Sequence, residues 1–183
     1  MQAARLDSLH MIERACWREL DQAARDRQHG WHVMTLATVD GTRADARSVI
    51  VREADEGTRQ VLFYTDHRSA KVAQIAANPD GVLVGWCTRT SWQVRMQVRL
   101  QVQTSGLEVS SRWAKVKLSP AAQDYLAALP PGTPVDRYQP ERGSRDHFAV
   151  VVADVLAIDW LELHTDGHRR ARLAGADSAW LTP

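Results

Sequence analysis

Three short segments place basic side chains where they could converge on one anion. The first is Arg47-Ser48-Val49-Ile50-Val51-Arg52. Strand alternation puts Arg47, Val49 and Val51 on one face and Ser48, Ile50 and Arg52 on the other. Such a strand can offer backbone amides and carbonyls to a flat polar ring while one arginine reaches a phosphate. It can equally be an edge strand with solvated arginines. The second segment is Phe63-Tyr64-Thr65-Asp66-His67-Arg68-Ser69-Ala70-Lys71. A strand ends at Thr65 and a helix begins near Ser69, so free amides and the positive end of the helix dipole face the turn. Ser69 adds a hydroxyl able to cap the helix, and Lys71 adds a point charge in the first turn. A plain capped helix with an exposed Lys71 is the other reading. The third segment is Ser91-Trp92-Gln93-Val94-Arg95, where Gln93 carries the donor and acceptor that suit the edge of a pyrimidine-like ring. A glutamine that merely faces solvent fits as well.

The elements that must hold these residues follow from periodicity. Residues 3–27 predict one amphipathic helix, with Leu6, Leu9, Ile12, Cys16, Leu20 and Ala23 at three- and four-residue spacing. After Gly30 the period changes. Residues 32–39, 46–52, 60–65, 82–87 and 92–103 read as strands, with Asp40-Gly41 as a hairpin turn and residues 53–57 as a second turn. In the longest, Val94, Met96, Val98, Leu100 and Val102 face opposite to Gln93, Arg95, Gln97, Arg99 and Gln101. Residues 69–77 predict a short helix stopped by Asn78-Pro79. Residues 108–129 are helical in pattern, interrupted near Ser119-Pro120, and residues 129–145 read as a Pro- and Gly-rich loop. Two strands, 148–163 and 169–173, precede a short tail. Six or seven antiparallel strands with few helices argue for a barrel or curled sheet in an α+β domain. The βαβ rhythm and GxGxxG fingerprint of a dinucleotide-binding fold are missing from the sequence.

Composition narrows the classes. With 183 residues and 44% apolar content the chain suits one domain, 1–183, with residues 1–29 as its N-terminal helix. Its 23 basic and 22 acidic residues leave a charge of +1, which gives no global pull toward nucleic acid or an anionic membrane. Cys16 and Cys87 are too few for a disulfide framework and read as buried thiols. Neither a signal-peptide pattern nor an apolar run of membrane-spanning length is visible, so a cytoplasmic protein is expected. His29 and His32, or His164 and His168, lack a carboxylate at metalloprotease spacing, so no metal site is expected.

The order of the three basic segments resembles the pyridoxamine 5′-phosphate oxidase family and its FMN-binding split-barrel relatives. In that family a strand R-x-V-x-x-K/R lines the flavin, a Y-T-N-x-x-S-R-K segment holds its phosphate, and a later Gln meets the isoalloxazine ring. Arg47, Arg52, Tyr64, Thr65, Ser69, Lys71 and Gln93 fall on those positions, and the resemblance extends the flavin-lining role to Ser48, Val49, Ile50 and Val51. Asp66 replaces the Asn, and Ala70 replaces an Arg that helps bind phosphate, which weakens the subsite unless Arg68 or another residue substitutes. Family members end with a Trp and a hairpin carrying H-x-R, which complete the flavin site of the second subunit. Trp160, His168 and Arg170 match that spacing, with Trp180 beyond, so the resemblance runs from about residue 31 to the end.

The resemblance therefore implies a six- to seven-stranded antiparallel split β-barrel with flanking helices. It also implies a homodimer with flavin sites at its interface, FMN as cofactor, and oxidoreductase activity on a small molecule. In the vitamin-binding hairpin R-x-H, Asp166 stands at the first Arg, and the Tyr and Arg of the preceding helix correspond to Trp113 and Lys117. An acid there repels a substrate phosphate, so the substrate implied is other than pyridoxamine phosphate. A flavin-binding protein without turnover, or a split barrel binding deazaflavin or haem, are the alternatives. His168 is either a proton donor or substrate contact near the flavin, or a hairpin residue bonded in the dimer interface.

Overall fold

A computed structural model of the protein describes residues 5–137, 143 and 146–183. Helix α1 (Leu9–Arg25) starts where Ser8, in extended conformation, accepts a hydrogen bond from Met11 N at 3.2 Å. That cap explains why the helix begins later than its apolar period suggests. Residues 3 and 4 of the expected helix lie outside the described residues. Its buried face carries Ile12, Ala15, Cys16, Trp17, Leu20 and Ala23.

Strands β1 (Val33–Asp40) and β2 (Arg43–Ile50) form a hairpin, with Gly41 at φ +59 in its turn. β3 (Glu53–Asp55) and β4 (Gln60–Asp66) follow, then α2 (Ala70–Ala77), β5 (Asp80–Cys87) and β6 (Trp92–Gln103). α3 (Leu107–Val116) gives way to a 3-10 turn over Pro120–Tyr125. β7 (Phe148–Glu162), β8 (Arg169–Leu173) and β9 (Ala179–Leu181) complete the order. The expected helix over 108–129 thus breaks at Pro120, whose ring removes an amide donor; Ala122 and Tyr125 still bury their side chains beyond it.

All nine described strands belong to one antiparallel sheet, ordered β2-β1-β5-β6-β7-β4-β3, with β8 on β7 and β9 on β8. The count exceeds six or seven because β3 and β9 were hidden in a charged turn and a short tail. Glu53–Asp55 becomes a strand because β4 offers it a free edge, Glu53 pairing with Leu62. The sheet does not close. β7 is long enough to serve two partners on one edge: β4 pairs along residues 148–154 and β8 along 158–162. The β6–β7 register shifts between Gln97 and Val98, where Leu156 of β7 is skipped, a bulge that bends the ladder at that junction.

Inside the curl, Trp31, Leu36, Phe63, Met96, Ile158 and Trp160 are fully or almost fully buried with the apolar face of α1. A smaller cluster of Leu62, Val109, Tyr125, Phe148, Val150 and Val152 lies under α3 and the 3-10 turn. No helix among the described residues is long and apolar enough to cross a membrane.

A candidate anion cleft between strand β2 and the start of helix α2

The turn from β4 into α2 is wound by Asp66. Its carboxylate accepts the Arg68 backbone N–H at 2.8 Å, and its carbonyl accepts from Ser69 N at 3.0 Å. Ser69 occupies the position before the helix, but its hydroxyl does not cap it. The expected cap is replaced by a side-chain cluster: Ser69 Oγ lies 3.1 Å from Thr65 Oγ1, and Lys71 Nζ donates to both, at 3.1 and 3.0 Å. Among the described residues no carboxylate pairs with Lys71. Burial, and then the charge of Arg47, holds its ammonium below the usual lysine range. A half-buried cation bonded only to hydroxyls, beside the uncapped first amides of a helix, has the chemistry to receive an anion.

These groups form one end of a cleft of about 250 Å³. Ser48, Val49, Ile50 and Arg52 make one wall, and Tyr64, Thr65, Asp66, Ser69 and Lys71 the other. Eight of the thirteen residues expected at a cofactor site therefore meet here. Asp124, Tyr125 and Pro131 close the cleft from the segment after α3, and sequence reasoning missed all three. Nothing in their spacing announces them. Arg52 lies over the Tyr64 ring at 5.7 Å, and its buried Nε has no hydrogen-bond partner among the described residues. Burial and Glu53 push the Tyr64 phenol up to about 12, and its hydroxyl donates to Glu53 Oε1 at 3.1 Å. The orphaned Arg52 nitrogen, the Lys71 cluster and the open strand edge fit a phosphorylated planar ligand.

Arg68 does not take the place of the missing family arginine. Its guanidinium grips Asp66 at 3.0 and 2.7 Å and donates to the carbonyls of Ala127 and Ala128 at 2.8 and 3.2 Å. Burial alone would raise the Asp66 carboxyl, but Arg68 outweighs it and holds the group below the usual carboxylate range. The pair ties the segment carrying Pro131 to the β4–α2 turn. Of the expected 129–145 loop, residues 138–142, 144 and 145 lie outside the described residues.

Five expected residues are not on the cleft. Val51 is core, 1% exposed, as its place on the inner face of the strand dictates. Arg47 shares that face and turns to Thr38, Gln74 and Asp45 beside the cleft instead of lining it. Gln93, Trp160 and Arg170 lie at the other end of the sheet. Gln93 and Arg170 both pair across Leu161, so they share one face in a row. Trp160 points the other way and is fully buried in its own core, edge-on to Trp92 and Trp180. It packs within the core of its own chain. Arg170 is engaged with Asp159 at 2.9 and 2.6 Å, and His168 Nδ1 accepts from His164 N at 3.1 Å. Trp113 packs on Tyr125 and Phe148 in the smaller core.

Glu19, His29 and Cys87 bring three possible metal-ligand atoms within 4.8 Å of one another. The hydrogen bonding argues against a metal. Trp31 N donates to His29 Nδ1 at 3.1 Å, so Nε2 carries the proton and gives it to Glu19 at 2.7 Å. Arg89 also pairs with Glu19. Glu19, His29 and Arg89 thus form a polar network of their own, with the buried Cys87 thiol beside it.

A sequence profile for the pyridoxamine 5′-phosphate oxidase FMN-binding domain matches residues 14–104. The chain belongs to the pyridoxamine 5′-phosphate oxidase-like family. A pyridoxine/pyridoxamine 5′-phosphate oxidase of Thermosynechococcus vestitus is 38% identical over 93 residues, covering 45% of this chain and 42% of that enzyme. The matched segment spans less than half the length of such curated relatives. Solved structures carry the family fold over nearly the whole chain. A pyridoxamine 5′-phosphate oxidase-related FMN-binding protein of Nostoc punctiforme superimposes with TM-score 0.73 at 24% identity, over 93% of this chain and 96% of the other. PhzG of Burkholderia lata, bound to tetrahydrophenazine-1-carboxylic acid, does so with TM-score 0.77 at 16% identity, over 99% and 98%. Within the profile match lie both walls of the cleft and Gln93. The hairpin with His168 and Arg170 lies beyond it.

Proposed function

We propose that the protein is an FMN-dependent oxidoreductase acting as a homodimer on a small substrate other than pyridoxamine phosphate. The observation that carries this reading is the Lys71–Thr65–Ser69 cluster at the start of α2, facing the β2 edge across one cleft. Lys71, Ser69 and the first amides of α2 would hold the phosphate, and Ser48 to Ile50 with Arg52 would lie along the ring. When bound, FMN supplies hydride or electron transfer, and the protein supplies position, polarity and access. Gln93 and Arg170 share a face remote from the cleft of their own chain, which supports their delivery to a second subunit's cleft across a two-fold interface. Asp166 in the last hairpin and Asp124 at the cleft disfavour a phosphorylated substrate. The relative from Burkholderia lata, with an unphosphorylated carboxylic acid bound, supports the capacity of this fold for such molecules. Two unpaired buried thiols, Cys16 and Cys87, fit a cytoplasmic setting.

Titrating FMN into the apo form of the protein and of Lys71→Ala tests the reading, followed by flavin absorbance and sedimentation. Uptake by the unmodified protein, weakened about 10- to 100-fold in the variant, is expected from the loss of one charge-assisted contact. No uptake by the unmodified protein refutes it. Flavin uptake without steady consumption of NAD(P)H or O₂ across a substrate panel would make it a flavin carrier or sensor instead.

A further inference from the structure

The guanidinium of Arg47 is already committed within the chain. Nη1 donates to Thr38 Oγ1 at 2.6 Å and, more weakly, to the Leu36 carbonyl at 3.4 Å. Nη2 donates to Gln74 Oε1 at 2.7 Å and to Asp45 Oδ2 at 2.5 Å. The ring of contacts is closed: Thr38 donates to Gln74 Oε1 at 2.7 Å, and Gln74 Nε2 donates to Asp45 Oδ2 at 2.9 Å. Both terminal nitrogens of Arg47 are therefore fully used. Gln74 follows Lys71 by three residues on α2, so this ring and the Lys71 cluster occupy one helix face. Arg47, Asp66 and Asp45 all act on the charge of Lys71, the arginine lowering its proton affinity and the two carboxylates raising it.

The three side-chain partners of Arg47 are unequal. Thr38 and Gln74 are buried, 3% and 6% exposed, and bonded to each other. The Asp45 side chain is 45% exposed and can turn to water. An incoming anion that seeks Arg47 would displace the carboxylate and leave the buried amide and hydroxyl in place.

Resting on the flavin reading above, we propose that Asp45 is a built-in competitor for the phosphate end of the cleft. It occupies the Arg47 contact that a ligand phosphate would take, and so it sets how strongly the protein prefers a phosphorylated flavin to an unphosphorylated one. Asp66, the other carboxylate that acts on Lys71, is paired with Arg68, so Asp45 is the anion set against Arg47 at this end of the cleft. A phosphate arriving there trades one anion for another at Arg47 and gains fully only at Lys71. Riboflavin, which carries no phosphate, leaves the Asp45–Arg47 pair untouched.

The test compares dissociation constants for FMN and for riboflavin, by flavin fluorescence, in the unmodified protein, in Asp45→Asn and in Asp45→Ser. Asp45 is exposed and both variants keep a polar side chain, and thermal melts matching the unmodified protein check that they fold. The expected result is a rise of about tenfold in the FMN-to-riboflavin affinity ratio, the scale of one charge-assisted contact, with riboflavin affinity unchanged. A constant ratio overturns the proposal, because Asp45 then does not compete. A falling ratio also overturns it and makes Asp45 a positioning residue for Arg47. Failure of the unmodified protein and both variants to bind either flavin defeats the flavin reading itself, an outcome distinct from a bound flavin with a constant ratio.

Discussion

Replacing Asp66 with alanine strands the Arg68 guanidinium between the β4–α2 turn and the segment that closes the cleft. The carboxylate is 2% exposed and holds Arg68 by two side-chain bonds and one backbone bond. Removing one partner of a buried ion pair costs roughly 3–5 kcal/mol. Arg68 keeps the Ala127 and Ala128 carbonyls and is itself 17% exposed, which places the loss at the lower end, about 3 kcal/mol. For a chain of this size each kcal/mol lowers Tm by roughly 2–4 °C, so the variant should melt about 6–12 °C lower. Asp66→Asn, which restores the residue type usual in the family motif, keeps an acceptor for the Arg68 amide and should lose about half as much. Circular-dichroism melts of Asp66→Ala, Arg68→Ala and the double variant provide the assay. The double variant should be clearly less destabilised than the sum of the singles, because the second change removes the stranded charge. Strict additivity, or a single variant melting within about 2 °C of the unmodified protein, would refute the assignment of this pair as the clasp of the cleft.

Acid should loosen the fold at several of its ion pairs. Arg112 holds Glu53 below the usual carboxylate range. At Asp66 and Glu162 burial pushes upward, but Arg68 in the first case, and Arg5, Trp92 and Arg169 in the second, outweigh it. Each group binds its proton more readily unfolded than folded, so the stability it adds is present above about pH 4 and lost as pH falls through the depressed folded values. Urea midpoints at about pH 6 and pH 3 should differ, with the lower at pH 3; equal midpoints would contradict these ion pairs. Gly30→Ala should cost about 1–3 kcal/mol by overpacking, since its Cβ would meet Cys87 Cα at 2.7 Å and the Trp86 carbonyl at 2.8 Å. An unchanged Tm would show that the 26–32 turn can shift away from β5.

Much of the site was legible because its logic is local. The Arg47–Arg52 strand alternates as its residue types require, and the strand-turn-helix at Tyr64–Lys71 is written in a short contiguous stretch. Strand and helix periods fixed seven of the nine strands, and β3 and β9 escaped because three-residue strands have no period to read. The Asp45 and Gln74 contacts to Arg47 had a faint local signal, two residues before Arg47 on its strand face and three after Lys71 on its helix face. What turned that signal into a ring was the approach of β2 to α2 across the sheet.

The residue order alone determined the family, the antiparallel strand pattern and the two contiguous segments that come to line the cleft. These depend on interactions within a few residues, where side-chain period and turn chemistry act directly. Tertiary structure decided which cations are free. Arg68 is spent on Asp66 and on carbonyls about 60 residues away, Arg47 on a ring spanning three elements, and Lys71 alone is left with hydroxyls. It also separated Gln93 and Arg170 from the cleft and buried Trp160, because β7 serves two partners along one edge and sends its two ends to different parts of the sheet. A charge's availability is set by everything folded against it, and sequence spacing does not carry that sum.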